Sequence, residues 1–217
     1  QQYAPARKYY YLSSWNTKAD GTGTSYAEDA EVTTESPLTL YAIWTPKVPA
    51  DGTRQVYKLE TENTTGKVYD EGGKVSLYDI NYNGQLVLRA PSKHIIRLSG
   101  TVTTEALGSD GKPRDYLKVY DGDELGDILV NSNAKDGSVF CSTTDGAKED
   151  IGVLMSSSNE LTVEFVTDGE NNYQGLDLTV TVLPKALRDL GLGTKDAPFR
   201  VATAEDLQTV NDYMTRT

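Results

Sequence analysis

The sequence predicts an all-β chain whose middle is a β-sandwich or barrel. Apolar and polar residues alternate in short runs of strand length, turn residues separate the runs, and helix-favouring residues form no sustained pattern before about Pro184. In chain order the runs occupy residues 38–44, bounded by Pro37 and Pro46, then 84–88, 95–98, 116–120, 161–165 and 176–182. Asn83-Gly84, Asp121-Gly122 and Asn171-Asn172 are expected as turns between them. Packing of two sheets face to face puts Leu161, Val163 and Phe165 in one core layer with Leu176, Leu178, Val180 and Val182. Beyond Pro184 the pattern changes. Thr203, with Asp206 three residues on, is an expected helix cap.

Composition excludes several classes of function. A formal net charge of −11 and a pI near 4.6 disfavour a polyanionic partner, so nucleic acid is not expected. The same balance suits divalent cations, although a solvated acidic surface with no specific ligand is the more common reason for it. Nowhere is there the roughly 18-residue apolar run of a membrane helix. The start at Gln1-Gln2 lacks an initiating Met and a signal-peptide pattern, so the chain reads as a piece of a longer protein. Cys141 is the sole cysteine and His94 the sole histidine, which removes an intrachain disulfide, a multi-cysteine zinc site and any site needing two imidazoles. Cys141 is expected as a small buried hydrophobe. A secreted β-protein without disulfides fits Gram-positive surfaces better than animal ones.

Three segments and a connector follow from the pattern. Residues 1–46 contain Trp15-Asn16-Thr17-Lys18-Ala19-Asp20-Gly21-Thr22-Gly23-Thr24-Ser25-Tyr26 and close on Leu40-Tyr41-Ala42-Ile43-Trp44. This resembles part of the Listeria–Bacteroides repeat of the internalin B type, whose earlier strand is missing here. The resemblance implies a small β-grasp-like stalk unit of a bacterial surface protein, one too small to fold without a neighbour. Residues 47–52, with proline and no periodicity, read as a linker. Residues 53–184 carry the sandwich. Residues 185–217 are expected to begin a further module, because the stretch Gly193 to Val201 and the helix start after it resemble the lead-in to β-helix or repeat modules.

The central segment carries a second resemblance. Asp115-Tyr116-Leu117-Lys118-Val119-Tyr120-Asp121-Gly122 is followed by Ser157-Ser158-Asn159-Glu160-Leu161-Thr162-Val163-Glu164-Phe165-Val166-Thr167-Asp168 and then by Tyr173-Gln174-Gly175-Leu176. In order and spacing this is similar to the CUB family, over about residues 53–183. The resemblance implies an all-β, CUB-like antiparallel sandwich of jelly-roll type, flanked by the partial β-grasp-like repeat and a short C-terminal αβ segment. It also implies a calcium site formed by three acids from separate loops: Asp115, Asp168 and Glu105, with Asp110 as the alternative to Glu105. Backbone carbonyls near Gly169 and Asn171 are expected to complete the shell. The family's paired cysteines flanking the Asp-Tyr strand are not kept, since only Cys141 stands at one of their positions.

Gathering three carboxylates is unfavourable without a cation between them, and calcium takes about six to eight oxygen ligands. Otherwise these are separate, solvated loop acids. The function expected is therefore an extracellular adhesion or protein-binding module of a bacterial cell surface, in which Ca2+ orders loops that receive a basic side chain of a protein ligand. The alternative is a carbohydrate-binding module for a surface glycan, with Tyr69, Tyr78, Tyr82, Tyr116, Tyr120 or Tyr173 as platform and structural Ca2+. A glycosidase using Asp115 and Asp168 is the third reading, disfavoured by the lack of a pocket signature, so no enzyme is expected. The acidic run 121–127 has the glycine of an EF-hand loop, but its twelfth position is Ser132, and a hairpin turn is expected instead.

Overall fold

The computed structural model describes residues 5–33, 36–59, 65–186, 190–191, 193–195 and 198–214. The strands are β1 (Tyr10–Asn16), β2 (Ser25–Tyr26), β3 (Tyr41–Pro46), β4 (Arg54–Lys58), β5 (Thr65–Val68), β6 (Asn83–Arg89), β7 (His94–Thr103), β8 (Tyr116–Asp121), β9 (Lys148–Asp150), β10 (Leu154–Met155), β11 (Glu160–Val166) and β12 (Gly175–Pro184); helix α1 spans Ala204–Met214. A five-stranded sheet runs β10-β7-β12-β5 with β9 also on β7, and a four-stranded sheet runs β4-β6-β11-β8. Pairing is antiparallel except between β4 and β6.

These two sheets face each other across one core. Leu86, Leu88, Leu117, Val119, Leu161, Val163 and Phe165 meet Val68, Ile96, Leu98, Leu176, Leu178, Val180 and Val182 in a single buried cluster. Period-two alternation produces this directly, since every second side chain of each strand points inward. Each fully buried Leu, Val or Phe contributes about 1.5–3 kcal/mol, which a chain without disulfides needs. Cys141 is buried and free, and burial pushes its thiol pKa up.

Adjacent apolar pairs mark where both faces are covered. Ile96 and Val182 point into the core, whereas Ile95 and Leu183 lie with Met155 on the outer face under Leu190, Phe199 and Val210. The C-terminal stretch therefore packs on the sandwich. Thr203 and Asp206 cap α1 reciprocally: the Asp206 N–H donates to Thr203 Oγ1 at 3.1 Å, and the Thr203 N–H to Asp206 Oδ2 at 2.8 Å. Of the region expected to open a further module, residues 187–189, 192, 196–197 and 215–217 lie outside the described residues.

The N-terminal strands form a three-stranded sheet of order β2-β1-β3. Its aromatic residues lean on the sandwich, with Tyr10 edge-on to Tyr57 at 6.1 Å and Tyr11 to Tyr69 at 5.9 Å. The stretch 47–52, read from sequence as a linker, runs against the sandwich instead. Val48 joins the core, its N–H donates to Tyr69 O at 2.8 Å, and its carbonyl accepts the Tyr82 hydroxyl. Backbone pairing of this kind leaves no trace in composition.

Asn83-Gly84 is also not a turn but the start of β6. A side chain at Gly84 would collide with the Pro49 carbonyl, so this glycine permits close approach of the 47–52 stretch rather than a reversal of the chain. Asp121-Gly122 does open a reversal, closed by the Asp121 N–H to Asp127 O bond at 2.8 Å.

Candidate metal centre

Topology alone brings three loops to one end. Strand β11 is antiparallel to β8, with Val166 paired to Tyr116, so the end of β11 lies beside the start of β8. Strand β12 is antiparallel to β7, with Gly175 paired to Thr103, so the start of β12 lies beside the end of β7. The β11–β12 connection links these two places. Asp115 immediately precedes β8, Asp168 follows β11, and Glu105 follows β7. One oxygen from each of the three carboxylates lies within 4.8 Å of the others.

Asp115 is the fixed member of the trio. It is fully buried; its Oδ1 accepts the Asp168 N–H at 2.8 Å and its Oδ2 accepts the Tyr78 hydroxyl at 2.5 Å. Tyr78 is itself fully buried, edge-on to Phe165 at 5.3 Å, and its hydroxyl also accepts the Glu105 N–H at 3.3 Å. One phenol thus ties the roots of two of the three acids. The 105 loop is anchored beneath by a reciprocal pair between Thr104 and Ser142, at 2.8 and 2.9 Å. The 168 loop is held by the Asn81 N–H to Asp168 O bond at 2.6 Å.

Electrostatics mark the spot. Burial pushes the Asp115 carboxyl up to about 6. Hydrogen bonds from Tyr78 and the Asp168 N–H oppose that rise, and the negative charges of Asp168 and Glu105 reinforce it. The Tyr78 hydroxyl is driven far above its usual range, first by burial and then by the neighbouring Asp115. Two like charges less than 5 Å apart repel by about 3 kcal/mol at an effective dielectric of about 20. The Glu105 Oε2 atom is buried and has no hydrogen-bond partner among the described residues, while Oε1 accepts from Asn171 Nδ2 at 3.3 Å.

The donor set fits a hard cation. All donors are oxygens, their spread matches ligands about 2.3–2.6 Å from a shared centre, and the unpartnered Glu105 oxygen has acceptor capacity to give. Glu105, Asp115 and Asp168 would hold calcium, which supplies a charge that cancels their repulsion. The alternative ligand Asp110 is not among them; it is ion-paired with Arg114 at 3.2 Å on an exposed loop. Tyr78 was read from sequence only as a candidate sugar platform, and neither it nor the Asn171 side chain was read as bracing these acids. Their partners lie 37 and 66 residues away, and no local motif announces them.

The six tyrosines considered as a sugar platform are not displayed together. Tyr69, Tyr78, Tyr82 and Tyr120 are buried, leaving only Tyr116 and Tyr173 partly exposed.

No family model matches the chain. It is 28% identical to human cubilin over 142 residues, covering 58% of this chain and 4% of that protein. It is 35% identical to pig cubilin over 108 residues, covering 49% and 3%. The chain thus spans only a few per cent of the curated relatives it matches. The crystal structure of the MASP-1 CUB2 domain bound to Ca2+ shares 14% identity with a TM-score of 0.37, covering 56% of this chain and 96% of that one. The cubilin relatives support the CUB-domain similarity. They support neither an N-terminal Listeria–Bacteroides repeat nor a bacterial source.

Proposed function

We propose that this chain is an extracellular protein-binding module in which Ca2+ bound by Glu105, Asp115 and Asp168 orders three loops at one end of the sandwich. The observation that carries the reading is the convergence of these three carboxylates, from three separate loops, to within 4.8 Å of one another. A cation there fixes the carboxylates in orientation, and a preset carboxylate is a strong acceptor for a lysine or arginine of a protein partner. Binding is favoured over catalysis, because Asp115 is fully buried and both its oxygens already accept hydrogen bonds. The sugar-binding alternative is disfavoured because, of its six candidate tyrosines, four are buried and only Tyr116 and Tyr173 are partly exposed.

The resemblance of residues 15–26 and 40–44 supports reading the N-terminal sheet as part of a Listeria–Bacteroides stalk unit. On that reading the whole protein is an adhesin at a bacterial cell surface. No helix among the described residues is long and apolar enough to cross a membrane.

Calorimetric titration with calcium tests the site. One ion per chain is expected, with binding lost in Asp168→Ala while the circular dichroism spectrum is kept. Absence of binding heat in the wild type at several temperatures would remove the reading.

A further inference from the structure

One segment, residues 69–82 between β5 and β6, is gripped both by the N-terminal sheet and by the acidic rim. On the first side, Tyr11 of β1 stands edge-on to Tyr69 at 5.9 Å, and a Cβ at Gly73 would come within 2.9 Å of Tyr11 Cδ2, so the ring rests on bare backbone there. Lys47, the residue after β3, donates its backbone N–H to Tyr9 O at 2.9 Å and its Nζ to Glu71 O at 2.7 Å. Val48, next along, accepts the Tyr82 hydroxyl through its carbonyl. From these contacts two routes lead to the rim. In one, Glu71 Oε1 accepts the Asp79 N–H at 2.7 Å, which fixes the neighbouring Tyr78, the phenol that donates to Asp115 and accepts from the Glu105 N–H. In the other, Thr167, the residue before Asp168, accepts the Tyr82 N–H on Oγ1 at 2.8 Å, donates that hydroxyl to Asp79 O at 2.9 Å, and donates its own N–H to Tyr82 O at 2.8 Å. Every step is a hydrogen bond or the covalent chain itself.

We propose that residues 69–82 couple the rim to the N-terminal sheet, so that calcium at Glu105, Asp115 and Asp168 tightens the seating of β1 and β3 on the sandwich and the seated sheet in turn tightens calcium. The inference rests on the calcium reading above. A three-stranded sheet whose edge strand is two residues long buries too little to be stable alone. It therefore has two states, seated and released, and belongs to the low-stability end of the molecule. The rim also has two states. Without a cation its three carboxylates repel one another, and with one that repulsion is cancelled. Tyr78 and Thr167 carry the positions of Asp115 and Asp168 into residues 69–82, so relaxation of the rim loosens the same backbone that Tyr11 and Lys47 hold. Linkage then makes the effect equal in both directions. The result is a joint that calcium stiffens, aligning the N-terminal unit with the sandwich.

The test measures both directions on the full chain, well below its melting temperature. Calorimetric titration with calcium is expected to show binding about five- to tenfold weaker in Lys47→Met and in Tyr11→Ala than in the wild type, although neither side chain belongs to the ligand set. Lys47→Met deletes one hydrogen bond and keeps the fold. If Tyr11→Ala releases the N-terminal sheet outright, that variant reports the whole loss of calcium affinity. In the other direction, amide hydrogen exchange on β1 and β3 of the wild type should slow about five- to tenfold when calcium replaces chelator, and calcium should leave it unchanged in Asp168→Ala. Wild-type calcium affinity in either of the first two variants, or exchange on β1 and β3 that calcium does not alter, would overturn the coupling and leave the metal reading standing. No binding heat in the wild type removes both.

Discussion

Replacing Asp115 with asparagine is expected to stabilise the calcium-free protein and to abolish its response to calcium, a reversal that follows from where the carboxyl sits. A carboxyl held at about 6 in the folded chain, against 3.8 ordinarily, makes the folded state up to about 3 kcal/mol less stable above pH 6. The sign follows from the folded state holding this proton more tightly than the unfolded one. The carboxyl's contribution is complete below about pH 4 and is lost as pH rises through about 6. Asparagine does not titrate. It keeps an oxygen for the Asp168 N–H, but Tyr78 loses its anionic acceptor, which costs about 1 kcal/mol. A net gain of about 1–2 kcal/mol remains, or about 2–8 °C in melting temperature. Thermal and urea unfolding in chelator at about pH 4.5 and 7.5 should show the two proteins converging at the lower pH and the variant ahead at the higher. A variant less stable than wild type in chelator at the higher pH, or one that calcium stabilises equally, would refute the account of the buried charge.

Three further outcomes are expected. Tyr78→Phe should weaken calcium about tenfold or more by calorimetry, since the phenol orients Asp115 from outside the ligand set; unchanged affinity would mean that Phe165 packing alone suffices. Asp70 is fully buried, takes the Leu176 and Gly72 N–H groups at 2.6 and 2.9 Å, and is pushed up to about 7, chiefly by burial. Wild-type stability in chelator should therefore fall as pH rises from about 4 to 7, and Asp70→Asn should flatten that fall in urea melts. Gly84→Ala should cost about 3 kcal/mol or more in denaturant unfolding, because its Cβ meets the Pro49 carbonyl, a backbone atom that cannot swing aside.

Much of the sandwich was legible because alternation is written by burial. The runs at 84–88, 95–98, 116–120, 161–165 and 176–182 all lie in strands of the two facing sheets. Strand β10 was not legible, being two residues long, nor was β9, whose three residues Lys148, Glu149 and Asp150 are all charged and carry no apolar alternation. Strand β4 hid because its partner β6 is parallel and, at the sheet edge, none of its residues is fully buried, so apolar Val56 faces outward. The stretch at 47–52 and Gly84 misled for a shared reason, a close backbone approach that proline and glycine permit but do not announce. At the site, the resemblance to the CUB family pointed to Asp115, Asp168 and Glu105. The bracing by Tyr78 and Asn171 depends on long-range side-chain hydrogen bonds and became visible only in three dimensions.

The most direct test of calcium as the ligand of this rim is a set of wild-type melts in about 10 mM calcium, in equal magnesium and in chelator. A dissociation constant of about 10⁻⁴ M, ordinary for extracellular modules, gives about 2.7 kcal/mol at that concentration. The account predicts a calcium-specific rise of about 5–10 °C that disappears in Asp168→Ala. Superimposable wild-type melts in calcium and chelator would contradict it.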